Sequence, residues 1–363
     1  KAQIVFLGDI SLNEQYVEFY KKGINPFSKI SNKLFFSKFV VGNLECLVKG
    51  SQGENLLKKP RLTSTKETLN YLNKLNINLV SLAHNHIYDH LESGFIRTID
   101  FLDKNNIGYL GASLDNEKSY KPFIKTINNI KIGFLNYVTE DTNPNLPEDS
   151  KVYLNTFNLE KVIRCIKVTK QQVDHVVLLL HWGGRVEGGL YPDWEQPKIA
   201  RNLIDAGADL IIGHHSHTIQ PFEIYKGKHI FYSLGNFCFS DFIFEGKNYK
   251  MPRRRKGNDG GGGGIIYTGP RKKNKYKDLT PLERLKLGVG CAKGSDLKYI
   301  PNEDHVALDV YKGQKKVAVK VVHKKEIRKL AKILIDQDKR DKNIDKERKK
   351  KIKLAFINEN FIK

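Results

Sequence analysis

Apolar runs and amphipathic stretches take turns along roughly the first 240 residues of the chain. AQIVFLG, KFVVGNLE, INLVSLAHNH, IGYLGA, DHVVLLLHWGG, ADLIIGHHSH and HIFYSLGNF read as strands, most of them closing on a glycine or a polar loop. IKIGFLNYV reads as a strand with a hairpin partner in YKPFIKTIN. The unbroken apolar centre of DHVVLLLHWGG predicts a strand of the fully buried type. STKETLNYLNKLN starts on Ser/Thr and keeps a helical period, as do ESGFIRTIDFLDKNN and PKIARNLIDAG, the last stopping on Gly207. Strands alternating with helices predict a layered α/β domain with much parallel pairing.

From Met251 the pattern changes. MPRRRKGNDGGGGG and RKKNKYKD have too little apolar surface to pack and predict a mobile loop. HVALDVYKGQKKVAVKVV alternates around a Lys-Gly turn and predicts a closing hairpin. The last stretch has a helical period and a heavily basic surface. The predicted organisation is therefore a main domain over 1–250, a basic Gly-rich insertion over 251–303, a hairpin of the main domain over 304–322 and a basic helical tail over 323–363.

Composition narrows this modestly. The chain has 363 residues, 40% of them apolar, enough for a sizeable core. No apolar run is long enough to span a membrane. No secretory leader opens the sequence, although its start at Lys1 leaves room for a lost upstream leader or anchor. The four cysteines, Cys46, Cys165, Cys238 and Cys291, are far apart, with no C-x-x-C pair. Reduced, structural thiols are expected, which leans towards the cytoplasm. A net charge of +22 fits either a lysine-rich proteome or an anionic partner.

The candidate chemistry sits at one kind of place. Asp9 follows IVFLG; Asn43 and Glu45 follow VVG; His84, Asn85 and His86 follow LVSLA; His181 follows VVLLL; His214, His215 and His217 follow LIIG. Taken singly, a Gly-Asp is a turn, GNLE a loop and HWG a core histidine. Taken together at strand ends, they converge on the carboxyl edge of a sheet, where α/β proteins build their sites. Two carboxylates, an amide oxygen and several imidazoles suit a pair of divalent ions such as Mn, Fe or Zn, with Mg possible at an oxygen-rich position. No P-loop and no G-x-S-x-G accompanies them.

The ordered set GD, GNLE, AHNHIYDH, HWGG, DAGADLIIGHHSH and YSLGNF resembles the CapA-type capsule-synthesis proteins associated with poly-γ-glutamate, which are similar in fold to calcineurin-like metallophosphoesterases. The resemblance covers roughly residues 1–245 and resumes weakly near 305–322. It implies metal ligation by Asp9, Glu45, Asn85, His181, His215 and His217, with Glu45 reaching both ions and Asn43 beside it. It implies that His86 is a general acid or polarises the substrate, and Asp89 three residues on could orient it. His84 and His214 fall to supporting roles. His215 and His217, two apart, are expected to point the same way from an extended segment, with His214 on the other face. Arg185 and Glu187 could read substrate charge, Tyr191 and Trp194 could form a wall, and Asn236 could support the ligands. Two positions depart from the broader phosphoesterase pattern. Ile10 and Ser11 follow Asp9 where that pattern has Asp-x-His, and Glu45 stands where it has Asp. A single-ion or weakly bimetallic site therefore stays open.

The implied function is a metal-dependent hydrolase acting on a phosphoester or an amide-linked anionic polymer such as poly-γ-glutamate. Two alternatives stand beside it. One is a nucleic-acid-binding or nuclease-like protein using RRRK, RKKNKYK and KERKKKIK, disfavoured because aromatic residues are thin there. The other is a non-catalytic assembly component that keeps the fold.

Overall fold

A computed structural model describes residues 3–35 and 37–251, and the backbone of three strands at 265–268, 305–312 and 315–323. Two six-stranded sheets form the centre. In the first, the strands Asn236–Phe239, Ile4–Ser11, Phe39–Leu44, Leu79–Ser81 and Gly108–Leu110 lie side by side, all parallel. Ile265–Thr268 adds antiparallel to the start of Ile4–Ser11. In the second, Lys228–Phe231, Leu210–His214, His175–His181 and Ile130–Val138 run parallel, flanked by the antiparallel edge strands Phe222–Tyr225 and Phe123–Ile127.

Period-two alternation sorts the side chains into layers. Ile4 and Phe6 meet Val177, Leu179 and Ile212 in a core between the sheets. Their neighbours Val5 and Leu7 face outward, into a cluster with Phe95, Ile99 and Leu102 of the helix Leu91–Lys104. On the far side, Leu178 and Leu180 pack on Val162 and Ile166 of Leu159–Lys170 and on Ala200 and Leu203 of Gln196–Asp205. The order is helix, sheet, sheet, helix. Strands covered on both faces need apolar residues at every position, which is why VVLLL runs unbroken. The Leu159–Lys170 helix, which the sequence reading passes over, is started by the Asn158 side chain accepting from the Lys161 amide at 3.1 Å.

Three expectations need correction. STKETLNYLNKLN gives only a short helix, Asn70–Lys74, because Thr65 and Thr68 hydrogen-bond to each other's backbone amides and hold a turn instead. HIFYSLGNF is not one strand. It breaks at Ser233–Gly235 and crosses from the second sheet to the first, with Gly235 at a left-handed φ of 65°. The crossing runs so close to the first strand that a Cβ at Gly8 would collide with the Gly235 carbonyl. ADLIIGHHSH leaves the extended conformation at His214: His215 and His217 have φ of 89° and 56°. Left-handed backbone at two imidazole-bearing residues is uncommon and collects at functional sites.

The predicted hairpin forms between His305–Lys312 and Lys315–His323, as a two-stranded sheet of its own. The helical tail over 323–363 and most of the 251–303 insertion lie outside the described residues. Cys46, Cys165 and Cys238 are free thiols; Cys291 lies outside the described residues.

Candidate metal centre

The carboxyl ends of both sheets meet at one buried cluster. Asp9 Oδ1 accepts from the Asn43 amide at 2.9 Å, and Ser81 Oγ donates to Asn43 Oδ1 at 2.9 Å, so the first sheet fixes Asp9 through two neighbouring strands. From the second sheet, His181 Nε2 lies 3.0 Å from Asn85 Oδ1, 3.1 Å from His215 Nδ1 and 3.6 Å from Glu45 Oε1. His217 Nδ1 lies 2.9 Å from Asn236 Oδ1 and 3.4 Å from Asp9 Oδ2, while its Nε2 lies 3.8 Å from Glu45 Oε1. The crossing at Ser233–Gly235 explains Asn236: it delivers that residue to the register position opposite Asp9.

All six residues of the expected ligand set are thus brought together. Among the described residues, two groups of three have donor atoms within 4.8 Å of one another: Glu45, His181 and His215, and Asp9, Glu45 and His217. Glu45 belongs to both. The chemistry fits a cation on a second count. Among the described residues, both Glu45 oxygens and His215 Nε2 are buried without a hydrogen-bond partner. A buried carboxylate with nothing on either oxygen is costly unless something positive sits there.

Around the cluster, His86 Nδ1 lies 2.7 Å from Asp89 Oδ2, and that oxygen also accepts from the Leu62 amide at 2.6 Å. The His86 amide donates to His84 Nδ1 at 3.1 Å, so His84 braces the loop that carries His86. His214 points away from the cluster and its Nε2 reaches the Leu7 carbonyl at 3.3 Å. The left-handed turn therefore still separates His214 from His215 and His217, though by a route other than strand alternation. Glu187 is exposed and reaches to 4.0 Å from His217 Nε2, at the mouth. Arg185 pairs instead with Glu195 at 3.4 Å on the surface, and Trp194 is half-buried on the turn before Gln196–Asp205.

Burial dominates the electrostatics. It lowers His181 well below the ordinary imidazole value and takes His215 down to about 3. It lifts Glu45 well above the carboxylate range and Asp89 to about 8. His217 resists: burial works to lower it, but Glu45 and Asp9 beside it raise it to about 10. Burial would likewise raise Asp9, yet hydrogen bonding to His217 and the neighbouring imidazoles carry it below its usual value. Without a metal the cluster therefore keeps a proton among Glu45, Asp9 and His217.

One residue escaped the sequence reading. Lys58 is only 4% exposed, and its Nζ donates to the Asn143 carbonyl at 2.7 Å. In LLKKP it looks like any surface loop lysine, and nothing short of the fold shows that it points inward.

Residues 3–241 match the family described as bacterial capsule synthesis protein PGA_cap. The chain belongs to that family. Among its members, the PGA biosynthesis protein CapA of Bacillus subtilis is 32% identical over 249 residues, covering 64% of this chain and 62% of the relative. The capsule biosynthesis protein CapA of Bacillus anthracis is 30% identical, covering 66% and 60%. The chain thus spans less than two thirds of the length of either relative. Among solved structures, the NAD nucleotidase NadN of Haemophilus influenzae aligns at 17% identity with a TM-score of 0.41, over 64% of this chain and 42% of that one. No helix among the described residues is long and apolar enough to cross a membrane.

Proposed function

We propose that this member of the capsule-synthesis family is a metal-dependent hydrolase of an anionic substrate, either a phosphoester or an amide-linked acidic polymer such as poly-γ-glutamate. The observation that carries the reading is the doubly orphaned Glu45 carboxylate, shared by two groups of buried ligand-type residues. The names of the Bacillus relatives support an acidic polymer as the substrate.

Asp9, Glu45, Asn85, His181, His215 and His217 would hold one or two ions of the Mn, Fe, Zn or Mg type. When bound, such ions acidify a water and neutralise charge developing on the attacked group. The protein supplies the rest. Asn43 and Asn236 hold Asp9 and His217 in register. His86 stands beside the cluster with Asp89 against its Nδ1, leaving Nε2 to serve the leaving group. Asp89 fixes the tautomer and ring orientation of that imidazole. Burial keeps His86 well below the ordinary imidazole value, so Nε2 serves the leaving group by polarising it, or by donating a proton where Asp89, raised to about 8, supplies the hydrogen to Nδ1 and leaves Nε2–H as the donor. Acid help of this kind contributes typically about 10²–10⁴-fold in rate.

The test joins elemental analysis of the purified full chain to a hydrolysis screen over phosphomonoesters, phosphodiesters and γ-glutamyl peptides. The expected result is bound divalent metal and metal-dependent turnover of one class, lost in His86→Ala with metal content unchanged. Metal without turnover of any class would favour a non-catalytic assembly component. Steeply salt-dependent DNA binding with no metal-dependent turnover would favour the nucleic-acid reading.

A further inference from the structure

The loop between the strands Leu47–Val48 and Thr63–Ser64 has its polarity reversed. Leu56 and Leu57 stand 78% and 72% exposed, while the next residue, Lys58, is buried. Apolar side chains out and an ammonium in is the costly arrangement, so the loop is holding Lys58 inward against its own solvation preference. The grip is visible. Asn145 Nδ2 donates to the Leu57 carbonyl at 3.1 Å, and Asn55 Nδ2 returns a bond to the Asn145 carbonyl at 2.9 Å. Arg61 Nη1 holds the Lys58 carbonyl at 2.8 Å, and the Asn55 amide is tied to the Asp89 carbonyl at 2.9 Å. Asn143 and Asn145 themselves sit in left-handed backbone, shaping the facing loop to meet this one.

What Lys58 is held for follows from its partners. An ammonium has three donors. The Asn143 carbonyl takes one, and among the described residues no carboxylate comes within ion-pairing distance. Its loop is tied to the His86–Asp89 pair on both sides of Lys58, by the Asn55 amide on the Asp89 carbonyl at 2.9 Å and the Leu62 amide on Asp89 Oδ2 at 2.6 Å. The Lys58 charge is felt by Asp89, His86, Glu45 and His215. Burial works to lower the Lys58 pKa, and the carboxylates of Asp89, Glu45 and Glu187 only partly offset it, so the ammonium has donors left for an oxygen that brings negative charge.

Building on the hydrolase reading, we infer that Lys58 binds an anionic oxygen of the substrate, a phosphoryl or carboxylate oxygen close to the bond that breaks. A single ammonium takes one oxygen without demanding the planar geometry that an arginine fork imposes. Lys58 is a specificity-determining residue in this assignment, not a metal ligand.

The experiment uses the full chain loaded with Mn, with two probes, inorganic phosphate and glutarate, titrated calorimetrically into the wild type and Lys58→Met. The expected result is unchanged Mn content and an affinity at least about tenfold weaker for one probe, the size of one charge-assisted contact. Loss confined to phosphate assigns a phosphoryl oxygen, and loss confined to glutarate a carboxylate. Affinities within about twofold of wild type for both probes overturn the inference, as does loss of Mn in the variant, which would make Lys58 a strut of the metal site. If Lys58→Met does not fold, Lys58→Gln keeps a donor for the Asn143 carbonyl and removes only the charge. A wild-type chain that takes up no Mn fails at an earlier step and rejects the hydrolase reading itself. A wild type that binds Mn but neither probe rejects the Lys58 assignment alone.

Discussion

The strand Leu210–His214 has a carboxylate site at each end, and the two are built on opposite terms. At its start, Asp209 is ringed by donors: Lys170 Nζ at 2.6 Å, Lys228 Nζ at 2.6 Å and the Val176 amide at 2.9 Å. Partial burial works to raise its pKa, but these bonds carry it below the ordinary value. Beyond its end, Glu45 faces His181 and His217 at longer range, with neither oxygen bonded, and burial lifts it far upward. One carboxylate is finished by the protein and ties helix to sheet. The other is left unfinished by the described residues. The contrast separates a structural ion cluster from a binding site more sharply than residue type does, since both hold an acid amid basic side chains.

The comparison breaks most visibly at Glu45. Glu45→Gln keeps the shape and removes the charge, so metal affinity is expected to fall by more than the roughly 10–100-fold typical of outer partners. Metal retained at wild-type affinity in that variant would leave the two ends of the strand equivalent.

A middle-sized effect sharpens the contrast through pH. An imidazole must be neutral to take a metal. His217 titrates at about 10 in the metal-free cluster, against about 6.5 in the unfolded chain. Its folded value is raised, so its contribution to metal-free stability is complete below about 6.5 and is lost as pH climbs through about 10. Within that window the metal must expel the proton. Mn affinity is expected to rise by up to about tenfold per pH unit, and the increment in Tm that Mn gives should be larger at pH 8.5 than at pH 6.5. Calorimetry in buffers of different ionisation enthalpy would register the released proton, and the absence of release would contradict the shared-proton picture.

The smallest effect lies at the finished end. Asp209→Asn is expected to cost about 1–2 kcal/mol in chemical denaturation, since the two lysines it leaves behind are close to solvent, and to leave metal content untouched. A metal defect there would show that the ends communicate along the strand.

Much of this was readable in the chain. Strand identities followed from apolar runs, and the positions of Asp9, Glu45, Asn85, His181 and the HHSH residues followed from their place after those runs. What could not be read was three-dimensional in origin. The left-handed turn at His215 and His217 has no glycine to signal it. The change of sheet inside HIFYSLGNF looks like continued β-pattern, because the break carries the buried apolar Leu234 between Ser233 and Gly235 and has no proline or charged turn to mark it. Lys58 sits in a stretch whose composition says surface, and only the asparagine clamps around it turn the side chain inward.

The crossing at Ser233–Gly235 has a mechanical consequence. It is a short tether from the second sheet to the first, and Gly235 is pinned at its first-sheet end by the Asp9 amide at 2.9 Å. The sheets at this edge can neither slide nor part without pulling that tether taut. Any rearrangement at this edge therefore falls to the loops beyond the strand ends, such as the exposed one that carries Glu187, while the β-scaffold stays still.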